Sequence, residues 1–155
     1  EVGRLLARRQ RLGAGLRPGQ DTLIIDAGTA LKIDLVTADG TYHGGSIAPG
    51  LRMRLRALHE FTGRLPLLEL PEGDATLSLT GDSTQGALLS GVVNGTVAEI
   101  DGFVAQYRQR WPALGVVLTG GDAAFLAARL MARIFVVPEL VLLGLNRILS
   151  YNVEE

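Results

Sequence analysis

Hydrophobic positions along this chain follow two distinct periods. Residues 22–26 (TLIID) form a short apolar run, and in ALKIDLV (30–36) Leu31, Ile33 and Leu35 alternate with Lys32 and Asp34, the period-two pattern of a half-buried strand. Asp39-Gly40 is a strong hairpin signal and leads into a third strand over TYHGGSIA (41–48),. After Pro49-Gly50 the spacing becomes helical, with Leu51, Leu55 and Leu58 on one face and a stop before Gly63 and Pro66. Residues 67–80 are weakly patterned, with a short strand expected at ATLSL (75–79). The longest helix is expected from Thr84 to about Trp111, with Leu88, Val92, Ile100, Phe103, Val104 and Tyr107 on one side. A strand (GVVLT, 115–119), two glycines, a helix from Asp122 to Leu130, a strand (RIFVV, 133–137) and a helix after Pro138 complete the pattern. Ahead of all this, RLLARRQRL (4–12) reads as the end of a helix and GAGLRPGQ (13–20) as a loop,.

The predicted order is β-β-β-α-(α)-β-α-β-α. A three-stranded meander followed by alternating helices and strands is an α/β plan of ribonuclease-H-like type, which is also half of an actin-like ATPase. The expected organisation is a helix end and linker over 1–20 and one domain over 21–155. The first residue is Glu1, not Met, so the chain is expected to begin within a longer protein.

Composition narrows the chemistry. The 155 residues are 47% hydrophobic and 20% charged, which is a chain able to bury a core. Lys+Arg 15 against Asp+Glu 16 gives a net charge of -1, leaving no basic field for a nucleic-acid backbone. The absence of Cys, with only two His, excludes disulfides, thiol catalysis and a multi-His metal site. No secretory signal opens the chain and no apolar run approaches the roughly 18 residues that span a bilayer, so no membrane partner and a cytoplasmic location are expected. Twenty glycines are roughly twice average usage, which implies tight turns or close backbone approaches.

Several loops carry candidate chemistry. Asp26-Ala27-Gly28-Thr29 joins two apolar strands: the carboxylate can hold a cation or its bound water, Gly28 lets backbone N–H groups approach a phosphate, and Thr29 adds a hydroxyl. A plain polar turn explains the same residues. Thr119-Gly120-Gly121-Asp122-Ala123 leaves a strand and opens a helix, where N–H groups favour anions, although Asp122 also suits a simple N-cap. Gly44-Gly45-Ser46-Ile47-Ala48-Pro49-Gly50 leads into a helix whose Arg52, Arg54 and Arg56 cannot all share one face, which suggests a solvated surface rather than an anion cradle. Ala87, Gly91, Gly95, Ala98 and Gly102 form a stripe on the long helix. Glycine inside a helix costs up to about 1 kcal/mol against Ala, so the stripe implies a close neighbour, within the chain or across a subunit interface.

Together these segments resemble the type III pantothenate kinases of the acetate and sugar kinase/Hsc70/actin superfamily. The matching segments are DAGTALKID (26–34), GGSIAPG (44–50) with Ala57-Leu58 and TGRLP (62–66), TQGA (84–87), TGGDA (119–123) and LLGL (142–145). The resemblance implies ATP-dependent phosphorylation of pantothenate to 4′-phosphopantothenate, the first step toward coenzyme A, with ATP, Mg2+ and a monovalent cation (K+ or NH4+) as cofactors and a homodimer as the assembly. It implies a monovalent-cation role for Asp26, ATP contacts for Gly28, Thr29, Gly120, Gly121 and Asp122, and pantothenate contacts for Thr84 and Arg4.

The departures from the family pattern are equally specific. Its amino-terminal phosphate loop has no counterpart here. The family's Gly-x-Asp-Arg segment superposes on Glu1-Val2-Gly3-Arg4, which puts Gly3 where the general base belongs. Lys32, the only lysine, replaces the usual Thr of the first motif, and its ammonium either pairs at the surface or stands in for the monovalent cation. Gly63 replaces the usual Ala. A non-catalytic, kinase-derived binding or regulatory protein is therefore the alternative to an enzyme fragment. A third reading, a ribonuclease-H-like nuclease, would need Asp26, Asp34 and Asp122 to meet.

Overall fold

A computed structural model describes residues 19–73, 75–138 and 140. Gly3, Arg4, the helix end at 4–12, most of the 13–20 loop and the closing helix beyond Leu140 lie outside the described residues. Five strands form one mixed sheet: β1 (Thr22–Ala27), β2 (Ala30–Val36), β3 (Tyr42–Pro49), β4 (Gly115–Thr119) and β5 (Phe135–Val136), in the spatial order β3-β2-β1-β4-β5. β1, β2 and β3 pair antiparallel, whereas β4 lies parallel to β1 and β5 parallel to β4. The protein is thus α/β with a five-stranded mixed sheet.

β1 sits at the centre because it is apolar on both faces. Leu23 and Ile25 point into the main core with Ile33, Leu35, Val116 and Leu118, while Ile24 packs with Val36 and Leu140 on the opposite face. Helices α1 (Leu51–Glu60), α2 (Thr84–Leu89), α3 (Gly95–Arg110) and α4 (Ala123–Ala127), with a π-helical segment between α2 and α3, complete the described elements. Leu51, Leu55, Ile100, Val104 and Leu126 supply their contribution to the main core.

The long helix differs from expectation in its middle. Residues Ser90–Asn94 are π-helical and separate α2 from α3. Here two polar side chains reach sideways: Ser90 Oγ donates to the Leu79 carbonyl (2.6 Å), and Asn94 Nδ2 donates to the Ser78 carbonyl (3.2 Å). The ATLSL segment therefore does not form the expected strand, because these carbonyls are bound by helix side chains instead of a ladder. The whole helical run Thr84–Arg110 has an 18-residue window of mean hydropathy 1.2, which by length and composition alone is enough to cross a bilayer, although polar residues such as Ser90, Asn94 and Glu99 interrupt it. Its apolar side is used in the core, through Val92, Val93, Ile100 and Val104.

At its start the glycine-rich stripe packs against the loop before α2, where a Cβ on Gly81 would collide with the Ala87 backbone, and farther along it is uncovered by the described part of the chain. Ala87, Gly91, Gly95 and Ala98 are exposed, and a Cβ added at Gly91, Gly95 or Gly102 would meet open space. Two carboxy-terminal elements are shorter than expected. α4 ends at Ala127, and beyond it the Asp101 carboxylate captures the Met131 and Ala132 amides (3.2 and 3.0 Å). β5 keeps two residues at the sheet edge.

The side chains of Asp39 and Asp21 both accept hydrogen bonds in the β2–β3 turn, Asp21 from the Ala38 amide (2.8 Å). Asp39 accepts from the Thr37 hydroxyl (2.6 Å), the Thr41 amide (3.0 Å) and the Thr41 hydroxyl (3.0 Å). These bonds, led by that from Thr37, lower its pKa from 3.8 to about 2. A carboxylate with a depressed folded-state pKa stabilises above its unfolded value and loses that contribution as pH falls through the folded value. The stability difference between wild type and Asp39→Asn, followed by urea unfolding, is therefore expected to hold from neutral pH down to about 4 and to close as pH approaches about 2,.

Candidate active site

Three loops meet at one end of the sheet: the β1–β2 turn, the β3–α1 junction and the β4–α4 turn. Backbone hydrogen bonds join them. The Gly50 amide donates to the Thr29 carbonyl (3.0 Å), and the Asp122 amide donates to the Ala27 carbonyl (2.9 Å). Two glycines make this approach possible. Gly120 has φ +96°, and a Cβ there would lie 2.5 Å from the Ala27 carbonyl oxygen and 2.7 Å from Asp26 Oδ1. At Gly50 a Cβ would stand 2.2 Å from the Gly28 oxygen and 2.6 Å from that of Thr29. Any side chain at either position forces the loops apart.

The loops enclose a cavity of about 580 Å³ lined by Gly28, Thr29, Arg52, Met53, Arg56, Gly121 and Asp122, within the roughly 300–1,000 Å³ usual for small-ligand sites. Four of the five residues that the sequence suggests for ATP thus share one cavity, and the fifth, Gly120, precedes Gly121 but is not among the lining residues. Thr84 opens α2, is exposed, and is not among the lining residues.

Asp122 does not cap α4 with its side chain. Its carboxylate is buried and forms an ion pair with Arg52, whose side chain is 66% exposed. A buried carboxylate is costly without such a partner. The three arginines of α1 divide between two faces, as expected, and Arg52 and Arg56 stay largely exposed. Arg52 and Arg56, one helical turn apart, line the cavity. Arg54 turns away to Glu99 (2.6 Å) and the Pro49 carbonyl (2.7 Å). The i,i+4 spacing of Arg52 and Arg56 was the available signal.

The three aspartates of the nuclease reading do not meet. Asp26 pairs with Lys32, Asp34 accepts from the Tyr42 hydroxyl (2.8 Å), which raises the Tyr42 pKa, and Asp122 pairs with Arg52. Among the described residues no group of three or more His, Cys, Asp or Glu side chains could hold a metal ion. Asp26 and Lys32 face each other across the β1–β2 ladder, with Nζ 3.6 Å from Oδ2. A free monovalent cation at that oxygen would have to share it with the ammonium, so these residues do not fit such an ion.

Sheet, helices and strand-end cavity define an α/β protein whose candidate site is built from loops at the ends of neighbouring strands. A family profile, type III pantothenate kinase, matches residues 7–106. The type III pantothenate kinase of Porphyromonas gingivalis is 46% identical over 138 residues, covering 89% of this chain and 57% of that protein. The corresponding protein of Flavobacterium johnsoniae is 47% identical over 143 residues, covering 92% and 57%. That of Cytophaga hutchinsonii is 45% identical over 140 residues, covering 90% and 58%. The chain belongs to the type III pantothenate kinase family and spans a little over half the length of these relatives. A solved structure from Campylobacter jejuni, described as a conserved protein of the Baf family of transcriptional activators, shares the fold with TM-score 0.51 at 21% identity, over 99% of this chain and 65% of that one.

The close approach at Gly120 can be tested by replacing each glycine of its pair. Gly120→Ala is expected to destabilise the chain by at least about 1–3 kcal/mol, the usual cost of a non-glycine residue held at such a φ. Gly121→Ala, whose Cβ would meet nothing within 4 Å, should stay within about 0.5 kcal/mol of wild type. Urea unfolding of the two variants measures the difference.

Proposed function

We propose that this chain is the carboxy-terminal, nucleotide-holding half of an enzyme that transfers the γ-phosphoryl group of ATP to pantothenate. The observation that carries this reading is the convergence of Gly28, Thr29, Gly121 and Asp122 on one cavity, within a chain of this family. The strand order β3-β2-β1-β4-β5, with an antiparallel amino-terminal trio, supports a ribonuclease-H-like, actin-type half-domain extending from Asp21.

Phosphoryl transfer asks a protein to position groups and neutralise charge. Backbone N–H groups around Gly28 and Gly121 can approach a phosphate without a side chain intervening, and the Thr29 hydroxyl can donate to it. Arg52 and Arg56 bring positive charge to the cavity wall, Arg52 being steered by Asp122. Mg2+, bound mainly through the nucleotide phosphates, would neutralise the charge that builds up there. The Asp122 carboxylate would accept from a hydroxyl such as that of ribose once Arg52 swings away. Thr84 is assigned to pantothenate across a homodimer interface. The exposed stripe Gly91–Gly95–Ala98 supports that interface, since a Cβ added at Gly91 or Gly95 would meet open space in the described chain and two-fold contacts favour self-complementary patches,. A cytoplasmic location goes with ATP as the donor.

This half supplies one wall of the nucleotide cleft, and Gly3 can neither accept a proton nor orient the pantothenate hydroxyl. The 155-residue chain is therefore expected to give no ATP-dependent 4′-phosphopantothenate, with or without Gly3→Asp. A chimera that joins the amino-terminal part of the Porphyromonas gingivalis relative to this chain carrying Gly3→Asp should turn over. Reverting that Asp should cost about 10²–10⁴-fold, as for loss of a general base, and Thr29→Ala about a hundredfold through misplacement of the phosphate. Turnover by the unmodified chain, or an inactive but folded chimera, contradicts the assignment.

A further inference from the structure

The carboxylate of Asp26 is shared between two sides of the site. Its Oδ1 lies against the glycine loops, 2.7 Å from where a Cβ on Gly120 would stand and 3.5 Å from that on Gly28. Its Oδ2 faces the ammonium of Lys32 at 3.6 Å. The contact follows from backbone register, because Asp26 and Lys32 are directly paired residues of adjacent antiparallel strands, where opposite charges attract. On the other flank of β1, Asp26 pairs with Thr119, the residue that leads into Gly120. The one lysine of the chain is thus aligned with the carboxylate around which both cavity loops turn. Among the ion pairs of the described residues, this one alone joins adjacent strands.

We propose that Lys32 is a tethered counter-ion for Asp26, holding by covalent attachment the positive charge for which a free monovalent cation is otherwise expected at this carboxylate. A cation that is part of the chain needs no binding equilibrium, and its ammonium repels a second monovalent ion from the same oxygen. The loops around Asp26 then keep their arrangement whatever the K+ or NH4+ concentration. The inference rests on the nucleotide-site reading only for the identity of the ion replaced; the charge pairing itself requires no nucleotide.

Thermal unfolding of the 155-residue chain, in KCl and in choline chloride at equal ionic strength and without nucleotide, tests this directly. Wild type should melt at the same temperature in both salts. Lys32→Thr and Lys32→Gln should each melt higher in KCl, by about 3 °C or more if K+ occupies the freed site well above its dissociation constant, and adding Asp26→Ala should abolish that gain. A variant that folds only in KCl counts as the same result. A K+-specific gain in wild type overturns the proposal, as do variants that gain nothing, variants that fold in neither salt, and a gain that survives Asp26→Ala. None of these outcomes involves ATP, so they leave the kinase reading to the turnover of the chimera.

Discussion

The end of β1 and the β4–α4 turn stand closer than any side chain would allow. Gly120, at φ +96°, leaves no room for a Cβ against the Ala27 carbonyl and the Asp26 carboxylate, and two residues later the Asp122 amide bonds that same carbonyl. This contact places Asp122 at the cavity, within reach of Arg52. It also presses the glycine turn against one oxygen of Asp26, while Lys32 faces the other. Gly50 makes a second close approach at the β1–β2 turn and brings α1 with its two cavity arginines to the same place. The site is therefore shaped by backbone contact first, and its charged side chains are arranged around that contact.

Much of this was legible in the sequence because alternation and glycine placement are local signals. The alternation of Leu31, Ile33 and Leu35 marks β2, and the apolar runs mark β1 and β4. The paired glycines of TGGDA and the Gly28 turn identify the loops that converge. What was not legible depends on partners distant in sequence. The π-helical segment follows from Ser90 and Asn94 bonding carbonyls of residues 78 and 79, which no helical periodicity announces. Beyond α4 the Arg129 amide bonds the Leu126 carbonyl in a tighter turn, and Asp101, on α3, takes the amides of residues 131 and 132. The separate partners of Arg52 and Arg54 required knowing that Asp122 lies on one side of α1 and Glu99 on the other.

The role proposed for Lys32 turns on strand register. The strand pairing that aligns it with Asp26 follows from the hairpin, so its position is set by register rather than by a flexible approach. The nuclease alternative fails on the same grounds: each of its three aspartates already has a separate partner, two of them cationic and one a tyrosine hydroxyl. The homology covers a little over half of each relative, and the cavity belongs to the portion present here.

The central claim, that the strand-end loops hold a nucleotide, is tested most directly by titrating the 15N-labelled chain with Mg2+-ATP and following its amide resonances. Saturable shifts centred on Gly28, Thr29, Gly121 and Asp122, reduced in Gly120→Ala, are the predicted result. Saturable shifts centred elsewhere, or no saturable shifts in a chain that remains folded, would contradict it.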